Sequence, residues 1–147
     1  MSLVEGADWP EYCCAILKDS RGWYLMERRP ATAKKAAGLL TSFGGMREPG
    51  EEPEACVRRE LKEELGFEAE NLEMCLRLMG KRDGLERRLA WFFRGMGPEE
   101  GDRLVVEPGR EAVWIEPGRI GGPDVSHGHR AAMEGERVGM KVVRVDA

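Results

Sequence analysis

Histidine is scarce in this chain of 147 residues, with two in all, and cysteine is hardly commoner, at four. His127 and His129 are only two residues apart, so they do not share a helical face, and no third nitrogen or sulfur ligand stands near them. A zinc site is not expected from that pattern. Cys13, Cys14, Cys56 and Cys75 show no Cys-x-x-Cys spacing, and three of them sit in apolar or periodic segments. They read as buried thiols of a reducing compartment. No stretch approaches the roughly 18 apolar residues of a membrane helix, and the first residues carry acids where a secretory signal would carry a basic end. A cytoplasmic location, with no membrane partner, is the expectation. An excess of positive charge is missing too, since 23 basic and 27 acidic residues leave a net charge of −4. Such a chain has no field for wrapping duplex nucleic acid, and a small anionic ligand would need a local basic patch. Repeats, low-complexity tracts and a linker between domains are also absent. Residues 1–147 therefore read as a single domain, long enough for a real core.

What the chain has in quantity is charge, 34% of its residues, and between Gly45 and Phe67 that charge is ordered: GMREPGEEPEACVRRELKEELGF. Pro53 suits a first helical turn, Glu51, Glu52 and Glu54 suit the positive end of a helix, and Gly66 suits a left-handed end. A helix is predicted from about Pro53 to Leu65. On it Glu60, Glu63 and Glu64 stand at i, i+3 and i+4 and share one sector of the surface. Val57, Leu61 and Leu65 mark the stripe that packs on the body of the protein, and Glu64 falls beside Val57 on the helical wheel. A partly desolvated carboxylate is costly without a cationic partner. Arg59 supplies one positive charge, and a divalent, oxygen-preferring cation such as Mg²⁺ would answer the remainder. A merely solvated charge run accounts neither for the bracketing glycines nor for acids beside an apolar stripe.

The rest of the chain alternates short strands and turns. Tyr12 to Leu17 and Trp23 to Arg28 read as strands joined by the tight turn Asp19-Ser20-Arg21-Gly22. The following loop carries Arg28, Arg29, Lys34 and Lys35, which is either a phosphate clamp or ordinary loop charge. Leu39 to Phe43 reads as a brief strand ending at the pair Gly44-Gly45, where the backbone can approach a ligand and a Gly45 carbonyl can face a cation. Leu72 to Lys81 and Glu86 to Arg94 flank Asp83-Gly84 as a β-hairpin. Arg103 to Glu107 and Ala112 to Ile115 are two further strand candidates. Ser126 would cap a short helix to about Glu134, stopped by Gly135, and Lys141 to Val145 alternates as a last strand.

The stretch from Gly45 to Phe67 resembles the Nudix box, with Gly45, Glu51, Arg59, Glu60, Leu61, Glu63, Glu64, Gly66 and Phe67 all in register. Nine specified positions over twenty-three residues make this a specific match. The resemblance implies an α/β fold, an α/β/α sandwich with a mixed curved sheet between the box helix and a second helix. It also implies hydrolysis of a pyrophosphate linkage in a nucleoside diphosphate derivative, with Mg²⁺ or Mn²⁺ as cofactor. Glu60, Glu63 and Glu64, together with the Gly45 carbonyl, are the implied metal shell. Glu51, Arg59 and Gly66 would hold the shape of the motif, and Arg28, Arg29, Lys34 and Lys35 would reach the substrate's phosphates. The base that takes the proton from water is left among Glu63, Glu60 and Glu111. Family members often place a further carboxylate near Glu107 and Glu111, although an exposed loop glutamate is the commoner meaning of each.

Phe43 stands where the family more often has Pro. The segment beyond the box, Arg82 to Leu85, lacks the Pro or Tyr of subfamilies selective for ADP-ribose or dinucleoside polyphosphates. By elimination the substrate leans to a nucleoside triphosphate, giving the monophosphate and pyrophosphate. The alternatives are ADP-ribose, a nucleotide sugar or a dinucleoside polyphosphate, or a non-catalytic nucleotide-binding module. Phe43 and Trp91 are candidates for stacking on a base, with core packing the favoured role for both. The partner is thus a small nucleotide-type molecule, and a homodimer is compatible with the same reading.

Overall fold

The computed structural model describes residues 11–146, so the acid-bearing start of the chain lies largely outside the described residues. Within them, eight strands form one mixed sheet. The strands are β1 (Tyr12–Lys18), β2 (Tyr24–Arg28), β3 (Leu40–Thr41), β4 (Phe43–Met46), β5 (Glu73–Arg82), β6 (Leu85–Met96), β7 (Glu111–Ile115) and β8 (Val142–Arg144). Two helices, α1 (Pro53–Leu65) and α2 (His127–Arg137), and a 3-10 turn (Pro117–Arg119) complete the elements. The sheet runs β3-β2-β1-β6-β5-β8, with β4 also on β1 and β7 also on β2.

β1 organises this arrangement because one of its edges is shared. Tyr12 to Ala15 pair with Met46 to Phe43 of β4, while Leu17 and Lys18 pair with Leu25 and Tyr24 of β2. Its other edge lies parallel to β6 over its whole length, from Tyr12 opposite Ala90 to Lys18 opposite Met96. A strand paired on both edges and covered on both faces needs a continuous apolar run, and Cys13 to Leu17 are all buried. One face of the sheet packs Ile16, Tyr24, Met26, Leu76 and Phe92 against Ala132 and Met133 of α2. The other packs Ala15, Leu25, Phe43 and Phe93 against Cys56, Val57, Leu61 and Leu65 of α1. This is the expected α/β/α sandwich.

Helix α1 has the predicted bounds, with Pro53 in its first turn and Gly66 in the left-handed conformation at φ 61°. The hairpin turn is also as read: Asp83 and Gly84 have φ of 53° and 77°, the paired positive values that join right-twisted strands. Three readings need correction. Leu39 to Phe43 is two strands, β3 on β2 and β4 on β1, so Gly44 and Gly45 lie inside β4 opposite Cys14 and Cys13. Arg103 to Glu107 forms no strand. It runs along the end of α1, with the Val105 and Glu107 amides donating to the Leu65 and Glu64 carbonyls at 3.0 and 2.8 Å. Gly135 does not stop α2, which continues to Arg137. A Cβ there would lie 2.5 Å from Val143 Cγ2, so glycine answers close packing of α2 on β8.

Candidate active site

The box helix delivers its acids to three different surroundings. Glu64 is 2% exposed. Its Oε1 accepts from the Gly44 amide at 3.1 Å, and its Oε2 stands 3.0 Å from Arg110 Nη2. Burial pushes this carboxyl up to about 8, with Arg110 pulling down and Glu60 pushing further up. Glu60 turns toward β4 and accepts from Arg59 Nη1 at 2.9 Å. Burial raises its pKa too, against the pull of Arg59. Glu63 is half exposed and stands 3.4 Å from the same Arg59 nitrogen. The Gly45 carbonyl is turned toward the helix and accepts from the Cys56 thiol at 3.8 Å.

Arg59 also engages Glu51 with a two-pronged grip, Nε to Oε2 at 2.8 Å and Nη2 to Oε1 at 3.0 Å. The grip holds the Glu51 carboxyl down at about 2. Glu51 in turn accepts from the Glu48 amide at 3.1 Å, which ties the loop before the helix to its middle. Gly66 closes the other end, donating to the Lys62 carbonyl at 2.9 Å.

A cleft of about 560 Å³ opens in front of these groups. Its acidic wall is Glu27, Glu60 and Glu64 with Gly44 and Gly45, and Arg110 stands among them. Arg29 and Lys35 of the basic loop line it, whereas Arg28, Lys34, Glu63, Glu107 and Glu111 are not among its lining residues. Arg28 instead donates to the Gly38 carbonyl at 3.1 Å and lies 3.7 Å from Asp124. Lys34 is exposed, and Glu111 is exposed at the start of β7 opposite Arg28. The lining also includes apolar and aromatic residues, Tyr12, Leu89, Phe92 and His129. His129 Nδ1 accepts from the Ser42 amide at 3.1 Å, and its ring meets Phe92 edge-on at 5.8 Å. Burial, helped by the charge of Arg29, pushes this imidazole down to about 4. It is therefore neutral near pH 7, and with Nδ1 accepting, Nε2 carries the proton.

The comparison of the sequence with protein-family models decides the family: the NUDIX domain model matches residues 10–134, most of the chain. The chain belongs to the Nudix family. No curated protein sequence is significantly similar to this Nudix chain. Among solved structures, the MutT protein of Methanosarcina mazei Go1 superposes with a TM-score of 0.74 at 20% identity, over 88% of this chain and 94% of that one. The ORF135 protein of E. coli gives 0.65 at 27% identity, over 88% and 89%. A MutT NUDIX hydrolase from Burkholderia pseudomallei gives 0.64 at 24% identity, over 85% and 95%. The general reaction of this Nudix chain is hydrolysis of a pyrophosphate linkage.

Two members of the Nudix cleft carried no sequence signal strong enough to single them out. Glu27 is an acid that follows the apolar Tyr24-Leu25-Met26 of β2 and is 4% exposed, which is a signal only if the strand is known to be buried on both faces. Arg110 lies 83 residues from its partner Glu27, too far along the chain for any spacing rule. The two aromatic residues considered for base stacking lie elsewhere. Phe43 is fully buried against α1, and Trp91 packs against the same cluster with its Nε1 donating to Glu11 at 3.3 Å.

Proposed function

We propose that this Nudix hydrolase cleaves nucleoside triphosphates to the monophosphate and pyrophosphate, with Mg²⁺ or Mn²⁺ held by Glu60, Glu64 and the Gly45 carbonyl. The observation that carries the reading is the make-up of one cleft, whose lining brings together the acids Glu60 and Glu64, the cations Arg29 and Lys35, and the rings of Tyr12 and His129. Those three kinds of group match the cation, the phosphates and the base of a nucleotide complex.

The donor set fits such a cation. Carboxylate and carbonyl oxygens are what Mg²⁺ and Mn²⁺ prefer, and the carboxyls of Glu60 and Glu64 are raised by burial that a cation would relieve. When bound, the ion supplies charge neutralisation at phosphate oxygens and acidifies a coordinated water. The chain's own residues do the remainder. Arg29 and Lys35 bind the phosphates as fixed positive charges, and the partly buried Tyr12 offers a ring surface to the base. His129, neutral with Nε2–H as donor, favours a base with an acceptor atom. Of the three carboxylates considered as the base, Glu60 is the one that lines the cleft, and with one oxygen on the cation its other oxygen would remain to accept the proton of water. Arg59 keeps Glu60 and Glu63 oriented while Glu51 anchors Arg59.

The test is a product analysis with Mg²⁺ or Mn²⁺ over nucleoside triphosphates, ADP-ribose, nucleotide sugars and dinucleoside polyphosphates. Monophosphate and pyrophosphate from a triphosphate are expected. Turnover confined to the other classes would move the assignment to them. Binding without turnover of any, in folded protein, would make the cleft a non-catalytic nucleotide module.

A further inference from the structure

Arg110 stands among the acids of the cleft, and it is fully engaged there. Its Nη1 donates to both Glu27 oxygens at 3.0 and 2.9 Å, its Nη2 stands 3.0 Å from Glu64 Oε2, and its Nε donates to Glu107 Oε1 at 2.6 Å. Two of these carboxylates, Glu27 and Glu64, are buried. A single guanidinium thus bridges the two buried acids of the cleft, with Arg29 Nη1 a longer second contact at 3.9 Å from Glu27 Oε1. The arginine comes from the turn after the 103–107 segment, where the Arg110 amide donates to the Glu107 carbonyl at 3.1 Å. That segment is fixed to the end of α1 by backbone bonds, so the base of the side chain is anchored while its tip reaches into the cleft with 25% exposure.

Two cations cannot share Glu64 at close range without strong repulsion in a site of low dielectric. We propose that Arg110 is an exchangeable internal cation, which releases Glu64 when a divalent cation binds and then engages the phosphates of the substrate. The inference rests on the metal site and phosphate substrate assigned above. Its contact with the exposed Glu107 keeps the guanidinium nearby after release. An arginine fork matches phosphate oxygens as well as it matches carboxylates. Cation loading would thereby create a phosphate-binding group that the cation-free protein keeps occupied. Arg110 is accordingly a competitor for the cation and a helper for the anion, two effects of opposite sign.

That pair of signs is the test, made on the whole chain by calorimetry. Arg110→Met should bind Mn²⁺ alone at least about five-fold more tightly than wild type, the low end of ordinary site-to-site coupling. The same variant, saturated with Ca²⁺, should bind a non-hydrolysable methylene-bridged nucleoside triphosphate at least about five-fold more weakly. Arg110→Lys, which keeps the charge and loses the fork, should leave Mn²⁺ affinity near wild type. A purely structural arginine would weaken both ligands together, and that result overturns the exchange. Mn²⁺ affinity that depends on Glu64→Gln but not on Arg110→Met overturns the exchange alone. Mn²⁺ affinity indifferent to Glu64→Gln overturns the cation site as well. Should Arg110→Met not fold, the wild-type Nη–H resonances that are missing in Arg110→Lys must shift on titration with Mg²⁺, and resonances that stay in place reject the proposal.

Discussion

A Cβ on Gly45 would lie 2.5 Å from both carboxylate oxygens of Glu60, so the missing side chain of one residue is the space filled by the acid of the other. The adjacent Gly44 is glycine for another reason. Its φ is 148°, and a Cβ there would lie 2.7 Å from the Cys14 Cα of the paired strand. The two glycines of one motif therefore separate into a backbone requirement and a site requirement.

Gly44→Ala should cost several kcal/mol of stability, on the order of other overpacked or strained positions, as read by denaturant unfolding. Gly45→Ala displaces only the flexible end of Glu60. It should retain most of its stability and lose Mn²⁺ affinity instead. Equal destabilisation by the two changes would contradict the distinction.

Arg59→Lys is expected to lose most of the activity although the charge remains, because an ammonium cannot reproduce the two-pronged bond to Glu51 together with the bond to Glu60. A second signature lies in acid unfolding. Glu51 is held at about 2, below its ordinary value, so the stability it contributes is present above the unfolded carboxylate range and lost as pH falls toward about 2. In Arg59→Met that portion of the acid limb should flatten. An unchanged acid limb would remove Arg59 as the cause of the low value.

His129 gives the opposite partner of a pH argument. Its folded pKa of about 4 lies below the unfolded value of 6.5, so the unfolded chain takes the proton first and stability falls as pH drops from 6.5 toward 4. The difference amounts to about 3 kcal/mol at most. Arg29 is the charged group that adds to the effect of burial, and the Ser42 amide and Phe92 edge face the ring without titrating. His129→Gln should shrink this dependence, which parallel unfolding curves at pH 7 and pH 4.5 would show. The same pH dependence in both proteins would mean that the imidazole is not the group responsible.

Gly135→Ala tests the end of α2 corrected above. The alanine favours the helix by about 1 kcal/mol, yet its methyl would press on Val143 Cγ2 and cost about 1–3 kcal/mol. A net loss of stability by thermal unfolding is expected, with little change in activity. A gain would indicate that α2 and β8 are less closely packed than the structure has them.

The box helix and its apolar stripe were legible in the sequence because each signal there is local: Pro53 and Gly66 bound one helix, and Val57, Leu61 and Leu65 are one turn apart. The hairpin at Asp83-Gly84 was legible for the same reason. Arg103 to Glu107 was misread because its short apolar run, Leu104-Val105-Val106, suits an extended chain, and whether an extended chain joins a sheet depends on a partner edge. Here its backbone bonds go to the last turn of α1. Gly135 was misread since glycine is both a helix terminator and a means of close approach, and only the position of Val143 chooses between them. The acids of the cleft followed from the helix, but their counter-ion did not. Arg110 meets Glu27 and Glu64 through tertiary placement of β2, α1 and the turn before β7, which no periodicity encodes.

The position of a bound divalent cation tests the site most directly. Anomalous scattering from Mn²⁺ in crystals of the wild type and of Glu64→Gln would locate it. The expected result is a peak bound by the carboxylates of Glu60 and Glu64 and the Gly45 carbonyl in the wild type, lost or greatly weakened in the variant. A peak confined to another part of the molecule, or one undiminished in Glu64→Gln, would contradict the assignment of this cleft as the seat of pyrophosphate hydrolysis.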